Sequence, residues 1–243
     1  MDLLRALRYR GMLEEFEAQL KSNEYDSLSF IERFSLLVEA EYLRKQNSRI
    51  QLRNKKAGFA QGDACIEGID YSLDRNINKD TILKLASCTY VSRHENILIL
   101  GPSDSGKSYL GCALGNAACR RDIKVSYMRL ADLFESLDRA ETAGRLTKVF
   151  RFFATVSILV LDDFLLSVPT LKQVQILVEL MEQRERTAST IICSQLAPRD
   201  WHKRIDEAIQ ANCIYSRLVP SAHLIELKGA TPMRERYSTI GSD

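Results

Sequence analysis

Five short apolar runs, separated by longer segments with helical periodicity, constrain the fold of this chain more than any other feature. The runs are Asn96 to Leu100, Lys124 to Met128, Ser157 to Leu161, Ser189 to Cys193 and His223 to Leu227. Parallel strands need a crossover between them and are buried on both faces, so they read as continuous apolar runs. The alternation therefore predicts an α/β fold, with a parallel five-stranded sheet between helices.

The N-terminal part of the chain has a different pattern. Apolar residues recur at three- to five-residue steps from Leu4 to Leu20 and again from Phe30 to Leu43, which predicts two helices. Ser29 followed by Glu32 predicts a capping box at the start of the second helix. An aperiodic stretch with three glycines follows and is typical of a linker. We therefore predict a small all-α domain of residues 1–57, a linker of residues 58–71 and a second domain of residues 72–243.

Composition and charge exclude several classes of protein. The chain has 243 residues, of which 45% are hydrophobic, and this argues against a mostly disordered protein. No uncharged apolar run is long enough for a membrane span, and charges occupy the place of a signal peptide's apolar stretch. The six cysteines form no CxxC pair and the three histidines lie far apart, so no zinc site or disulfide framework is indicated. We expect a cytoplasmic protein without a membrane partner.

The strongest chemical motif is GPSDSGKS, which fits the pattern GxxxxGK[ST] and lies between the first apolar run and a helical segment. In such a loop, backbone N–H groups and the helix N-terminus bind phosphate oxygens. Lys107 would bridge the β- and γ-phosphates, and the Ser108 hydroxyl would ligate Mg²⁺. The alternative is a strand-to-helix turn that binds nothing. The predicted cofactors are ATP and Mg²⁺, and the predicted binding residues of this loop are Gly101, Pro102, Ser103, Asp104, Ser105, Gly106, Lys107, Ser108 and Tyr109.

Asp104 occupies a position of the loop where many such loops have glycine. A carboxylate aimed at a triphosphate would repel it by several kcal/mol at low dielectric, so we expect the side chain to turn outward. Translational GTPases tolerate an aspartate at the same place in the pattern. Guanine specificity is not supported, because Asn78-Lys79-Asp80 precedes the loop and lacks the NKxD spacing.

Two carboxylates follow the third apolar run and fit a Walker B element. Asp162 would hold Mg²⁺, and Asp163 would orient and polarise the attacking water, a role that glutamate usually has. Aspartate is one methylene shorter, so turnover could be slow. The alternative is that both acids only cap the next segment.

Four further side chains are candidates for contact with the nucleotide. Ser194 and Gln195 end the fourth run, at the sheet edge where open α/β folds bind ligands, so one of them would sense the γ-phosphate or both would cap the following turn. Arg217 and Arg234 flank the last run and are candidate cations for the transition state. The alternative for each arginine is a solvated surface charge.

A basic segment near the end of the N-terminal domain indicates a nucleic-acid partner. Residues 44–56 contain six positive residues and no acid, within a chain whose net charge is only +2. A helix would present part of this charge as a stripe suited to phosphate backbones. The alternative is a solvated helix face. The predicted DNA-binding residues are Lys45, Arg49, Arg53 and Lys56.

Taken together, these motifs resemble those of the IstB-like transposition helper ATPases, AAA+ proteins that are relatives of the DnaC helicase loaders. The similarity extends over essentially the full length, through GMLEEFEAQL, LSFIERFSLLVEAEYLRK, NILILGPSDSGKS, SILVLDDF, STIICSQL, YSRLV and IELKGATPMR. The chain departs from the pattern at Asp104, at Leu165, where glycine is more frequent, and in its 16 residues after Leu227, too few for the full helical lid of most AAA+ proteins.

The resemblance implies a function as well as a fold. It implies an AAA+ P-loop core that forms a homo-oligomer, a ring or a spiral filament, on double-stranded DNA with ATP. It also implies recruitment or stimulation of the transposase of the same insertion sequence, a trans arginine finger at Arg217 and a sensor-2 position near Arg234. Two rivals remain open at this point: a DnaC-like loader of a replicative helicase, and an ATP-gated DNA clamp that does not hydrolyse ATP.

Overall fold

The structure, a computed structural model, describes residues 1–72 and 76–228 of the chain. Within these residues, each of the five runs predicted as strands forms one: β1 (Asn96–Leu100), β2 (Val125–Arg129), β3 (Ile158–Asp162), β4 (Ser189–Ser194) and β5 (Ala222–Glu226). The helices are α1 (Asp2–Ala6), α2 (Arg10–Lys21), α3 (Phe30–Ala57), α4 (Lys79–Ala86), α5 (Thr89–Ser92), α6 (Lys107–Arg120), α7 (Leu130–Thr142), α8 (Leu146–Thr155), α9 (Leu171–Arg184) and α10 (Ala208–Leu218). None of these described helices is both long and apolar enough to cross a membrane.

The five strands form one sheet in the order β2-β3-β4-β1-β5, and all four pairings are parallel. The predicted α/β fold with a parallel five-stranded sheet is therefore confirmed. Because the strands are parallel, the segments that follow β1, β3 and β4 leave the sheet at the same edge, where open α/β folds bind their ligands.

Helices cover both faces of this sheet. Ile97, Ile99 and Val160 pack on one face with residues of α4 and α6. Leu98, Leu161 and Ile192 pack on the other face with residues of α7, α8, α9 and α10. Since successive side chains of a strand point to opposite faces, this two-sided burial explains why the strands appear in the sequence as uninterrupted apolar runs.

The contacts of the chain divide it into two compact units, Met1–Arg53 and Asn54–Asp243, and the division falls within α3. Ala57, Ala64 and Ile66 are buried in the core of the second unit. Part of the segment predicted as a linker thus contributes to that core. The separate domains at 1–57 and 72–243 stay a prediction.

In the first unit, α2 and α3 are joined through a buried carboxylate. Glu41 is 5% exposed, and its Oε2 accepts hydrogen bonds from the backbone N–H groups of Gly11 (2.7 Å) and Met12 (3.3 Å). A negative charge at a helix N-terminus is stabilising, because the first N–H groups have no partner within the helix. The start of α3 has its own cap, since Ser29 and Glu32 exchange the hydrogen bonds of the predicted capping box.

Candidate functional site

The GxxxxGK[ST] loop connects the carboxyl end of β1 to the first residue of α6, as the sequence predicts. Two glycines are required by its geometry. A Cβ at Gly101 would lie 2.6 Å from the carbonyl oxygen of Leu227, and Gly106, which precedes α6, has φ = 94°. L-residues with a side chain avoid both conditions, so the backbone can curl closely around a ligand only with glycine at these positions.

Asp104 also adopts a left-handed conformation, with φ = 56°. Aspartate is one of the few residues other than glycine that visit this region routinely. The replacement of glycine at this place is therefore compatible with the loop conformation.

Lys107, the first residue of α6, is buried to 7% exposure, and its Nζ donates a hydrogen bond to the carbonyl oxygen of Pro102 at 2.6 Å. Burial lowers the pKa of the Lys107 amine, and the nearby Cys193, Asp162, Asp163 and Asp104 act in the opposite direction. The ammonium thus lies among the carboxylates of the predicted Walker B element and inside the loop that would hold the phosphates.

Asp162, the last residue of β3, is 3% exposed and has both carboxylate oxygens engaged. Its Oδ1 accepts from the backbone N–H of Asp163 at 2.9 Å, and its Oδ2 accepts from the Tyr127 hydroxyl of β2 at 2.5 Å. Desolvation is the largest cause that raises the pKa of Tyr127, followed by this hydrogen bond. Tyr127 was not among the predicted site residues, although a tyrosine within a strand that is buried on both faces signals a hydroxyl that needs a partner.

Asp163 lies at the start of a strained turn. Its φ is 50° and that of Leu165 is 55°, while the Leu165 side chain is fully buried. A positive φ is unusual for a bulky residue and ordinary for glycine, so the departure from the family pattern noted at Leu165 falls at a position that glycine would occupy without strain. The turn leaves the Asp163 side chain 38% exposed, with Oδ2 at 3.6 Å from Nε of Arg129. Both residues line a cavity of about 430 Å³.

Ser194, at the end of β4, is fully buried and has its hydroxyl engaged. The hydroxyl donates to the carbonyl oxygen of Phe164 at 2.8 Å and accepts from the backbone N–H of Leu196 at 3.1 Å. This geometry fits the capping alternative, whereas Gln195 is exposed at the same sheet edge. A contact between either residue and the γ-phosphate stays a prediction.

Arg217 lies near the end of α10 and is 20% exposed. Its guanidinium is 3.3 Å from Glu182 and 3.7 Å from Glu185, and it donates to the carbonyl oxygen of Cys213 at 3.0 Å. The predicted finger is thus held by acidic residues of its own chain at the contact between α9 and α10. The other candidate arginine, Arg234, lies outside the described residues.

The four predicted DNA-binding residues all lie on α3, three in the first unit and Lys56 in the second. Lys45 has intramolecular partners: its Nζ is 3.4 Å from Glu41 and 4.4 Å from the centre of the Tyr9 ring. Arg49 and Lys56 are exposed. Part of the positive charge of Lys45 is therefore balanced within the first unit, a role that the sequence did not indicate.

The residues of this site suit a Mg²⁺ nucleotide. Ser108 belongs to the first turn of α6, and α6 packs against β3, which ends in Asp162. A hydroxyl and a carboxylate, completed by phosphate oxygens and water, are the ligands that Mg²⁺ prefers. The Ser105 hydroxyl, in the loop itself, is buried and has no hydrogen-bond partner among the described residues. A polar ligand in the loop would satisfy it.

Residues 2–239 match the family described as IstB-like ATP binding protein. The chain belongs to this family. Among similar proteins, an insertion sequence ATP-binding protein of Sinorhizobium fredii is 34% identical over 236 residues, which are 97% of this chain and 96% of that protein. The ATP-binding protein of insertion sequence IS1162 of Pseudomonas fluorescens is 33% identical over 196 residues, which are 81% of this chain and 85% of that protein. The resemblance seen in the motifs is confirmed.

Solved structures of replication proteins share the fold of this IstB-like chain. The crystal structure of the DnaC helicase loader has a TM-score of 0.55 at 20% identity, over 68% of this chain and 97% of that one. The replication initiator DnaA bound to AMPPCP and single-stranded DNA has a TM-score of 0.58 at 18% identity, over 70% of this chain and 51% of that one. At such identities the similarity shows the fold, an AAA+ P-loop core, and nothing further.

Proposed function

We propose that this IstB-like protein is an ATPase that helps a transposase. It assembles as a homo-oligomer on double-stranded DNA with ATP and Mg²⁺ in the cytoplasm, remodels that DNA, and recruits or stimulates the transposase of its own insertion sequence. The observation that carries the proposal is the phosphate loop set beside the two carboxylates after β3, in a chain that matches the IstB-like family over residues 2–239.

Each side chain of the site has a role that its position supports. The loop amides and Lys107 would bind the phosphates, and Ser108 with Asp162 would hold the metal ion, which supplies charge neutralisation at the phosphates when bound. Asp163 is partly exposed beside the loop and would orient the attacking water. Arg217 of a neighbouring subunit would complete the site. Hydrolysis would then depend on assembly.

A helicase-loader function is the nearest rival, because the DnaC structure has the same fold. The insertion-sequence names of the more similar relatives favour the transposition role. Binding of the purified full-length protein to a transposase encoded beside it, with a replicative helicase as the competitor, discriminates between the two. Preference for the helicase would contradict our proposal.

Replacement of Asp163 by asparagine separates an ATPase from an ATP-gated clamp. We expect turnover with duplex DNA to fall by about 10²-fold or more, because general-base catalysis contributes 10²–10⁴-fold, while ATP binding and DNA binding persist. Phosphate release and ATP binding are measured on the same preparation. Asp132→Asn is a matched control, because this carboxylate lines the same cavity as Asp163 but lies in the first turn of α7 rather than directly after β3. Wild-type protein that binds ATP and DNA without releasing phosphate would support the clamp instead.

Neutralising the basic residues of α3 tests the DNA partner. For the combined change of Arg49, Arg53 and Lys56 to glutamine, we expect weaker duplex binding and a log-log salt slope that is shallower by up to about 2–3, since each phosphate contact contributes about 0.9. The measurement is duplex affinity at several salt concentrations. A matched control is the change of Arg120, Arg139 and Arg145 to glutamine, which also removes three positive charges but lies outside α3. An equal loss of duplex affinity in both variants would mean that DNA binding depends on net charge alone and not on the basic residues of α3.

A further inference from the structure

We infer that Tyr127 is a positioning residue for the metal-binding carboxylate of Asp162, an inference that rests on the proposed Mg²⁺ nucleotide site. The Tyr127 hydroxyl donates to Asp162 Oδ2 at 2.5 Å across the pairing of β2 with β3. Both residues are buried, at 7% and 3% exposure. A buried charge-assisted hydrogen bond of this kind is short and strong, so it fixes the position of the oxygen that accepts it.

The contact follows from the register of the two strands. Arg129 pairs with Asp162 and Tyr127 pairs with Val160, so the tyrosine lies one pleat step behind the carboxylate on the same face of the sheet. That face packs against α6, the helix that begins at Lys107. Tyr127 therefore approaches Asp162 from within the core and leaves the remaining lone pairs of the carboxylate for a ligand at the sheet edge.

The second carboxylate oxygen is fixed independently. Oδ1 accepts from the backbone N–H of Asp163, so two donors from different elements hold the two oxygens and set the plane of the carboxylate. Hydrogen-bond donors of this kind orient the side chains that bind a metal ion, and their loss costs about 10- to 100-fold in metal affinity. One hydroxyl on β2 thus prepares the proposed metal ligand on β3 before a nucleotide arrives.

The tyrosine ring is itself held in place. The ring of Phe59 packs edge-on against it, with centroids 6.3 Å apart. Phe59 fits there because residue 115 of α6 is glycine: a Cβ at Gly115 would lie 2.5 Å from the Phe59 ring. Phe59, Tyr127 and Asp162 form a chain of contacts from the segment after α3 to the proposed metal site.

The test removes the hydroxyl and keeps the ring. For Tyr127→Phe in the full-length protein, we expect the Mg²⁺ concentration that gives half-maximal enhancement of ATP binding to rise by about 10-fold or more. Binding of ATP in excess chelator is expected to stay unchanged. A fluorescent ATP analogue titrated with Mg²⁺ measures both without any need for hydrolysis. Tyr90→Phe is the matched control, because the Tyr90 hydroxyl is buried in the same unit and has no hydrogen-bond partner among the described residues.

A double-mutant cycle distinguishes positioning from a general loss of structure. In an Asp162→Asn background, adding Tyr127→Phe is expected to cause no further shift in the Mg²⁺ dependence, because the two residues act through one ligand. An unchanged Mg²⁺ midpoint in Tyr127→Phe would overturn the inference and leave the proposed function intact. If the ATP affinity of the wild-type protein did not depend on Mg²⁺, the proposed metal site itself would be overturned.

Discussion

Replacement of Arg217 by alanine is expected to lower ATP turnover of the proposed DNA-bound assembly by about 10³-fold, because an arginine finger, the role proposed for this residue, contributes about 10³–10⁵-fold in phosphoryl transfer. Binding of ATP and of duplex DNA is expected to persist. The fold should tolerate the change, since partly exposed ion pairs such as those of Arg217 with Glu182 and Glu185 contribute at most about 1 kcal/mol. Phosphate release at saturating ATP and DNA measures the effect.

Mixing two inactive variants tests whether the arginine acts across a subunit boundary. Arg217→Ala retains Asp163, and Asp163→Asn retains Arg217. If the finger acts in trans, interfaces between the two variants contain a complete site and the mixture regains activity. If the mixture stays without ATPase activity although the two variants co-assemble, Arg217 does not act in trans.

The ion pairs of Arg217 add a second expectation. Glu182 and Glu185 hold the guanidinium within its own chain, so a trans role requires that these contacts yield to the triphosphate of the neighbour. The double variant Glu182→Gln/Glu185→Gln should therefore reach half of its maximal ATPase activity at a lower protein concentration than the wild type. An unaltered concentration dependence would show that the acids do not restrain the arginine.

Sequence patterns predicted the parts of this protein that depend on short-range chemistry. The five strands, the phosphate loop and the capping box at Ser29 are each encoded within a few consecutive residues. Strand burial and loop glycines leave signals that do not depend on the rest of the fold.

The contacts around the site depend instead on how distant segments meet. Tyr127 reaches Asp162, and Arg129 approaches Asp163, only because β2 and β3 pair in one register. A shift by one residue would turn both side chains to the other face, and the sequence does not state the register. The hydroxyl of Ser194 was open to two interpretations for the same reason, because its partner, Phe164, is 30 residues away.

Replacement of Arg184 by methionine is expected to destabilise the second unit by about 3–5 kcal/mol, because several buried carbonyl oxygens lose their donors at about 1–3 kcal/mol each. Arg184, at the end of α9, is 2% exposed. Its Nη1 donates to the carbonyl oxygens of Phe153 (2.6 Å) and Val156 (2.9 Å), and its Nη2 donates to that of Ser189. Burial lowers the pKa of Arg184 to about 9, so the guanidinium remains charged at neutral pH.

The size of this expected loss of stability follows from the elements that the Arg184 guanidinium connects. Phe153 lies in the last turn of α8, whose carbonyl groups have no partner within the helix, and Ser189 begins β4. One side chain of α9 therefore caps α8 and anchors the start of a central strand. Methionine fills similar space but leaves these carbonyl oxygens buried without donors, so the loss comes from unsatisfied acceptors rather than from a cavity.

Urea unfolding of the full-length protein, followed by circular dichroism and by the fluorescence of buried Trp201, measures the loss. Arg139→Met is the matched control, because the Arg139 side chain is 75% exposed on α7 and pairs at the surface with Glu135, one turn earlier. We expect a change of less than about 0.5 kcal/mol. Arg184→Lys should give an intermediate loss, since one ammonium cannot reach the carbonyl oxygens of α8, of Val156 after it and of β4 together. If Arg184→Met and Arg139→Met unfolded at the same urea concentration, water or a shift of α8 would have to satisfy the carbonyl groups. The guanidinium would then not be the group that holds α8, α9 and β4 together.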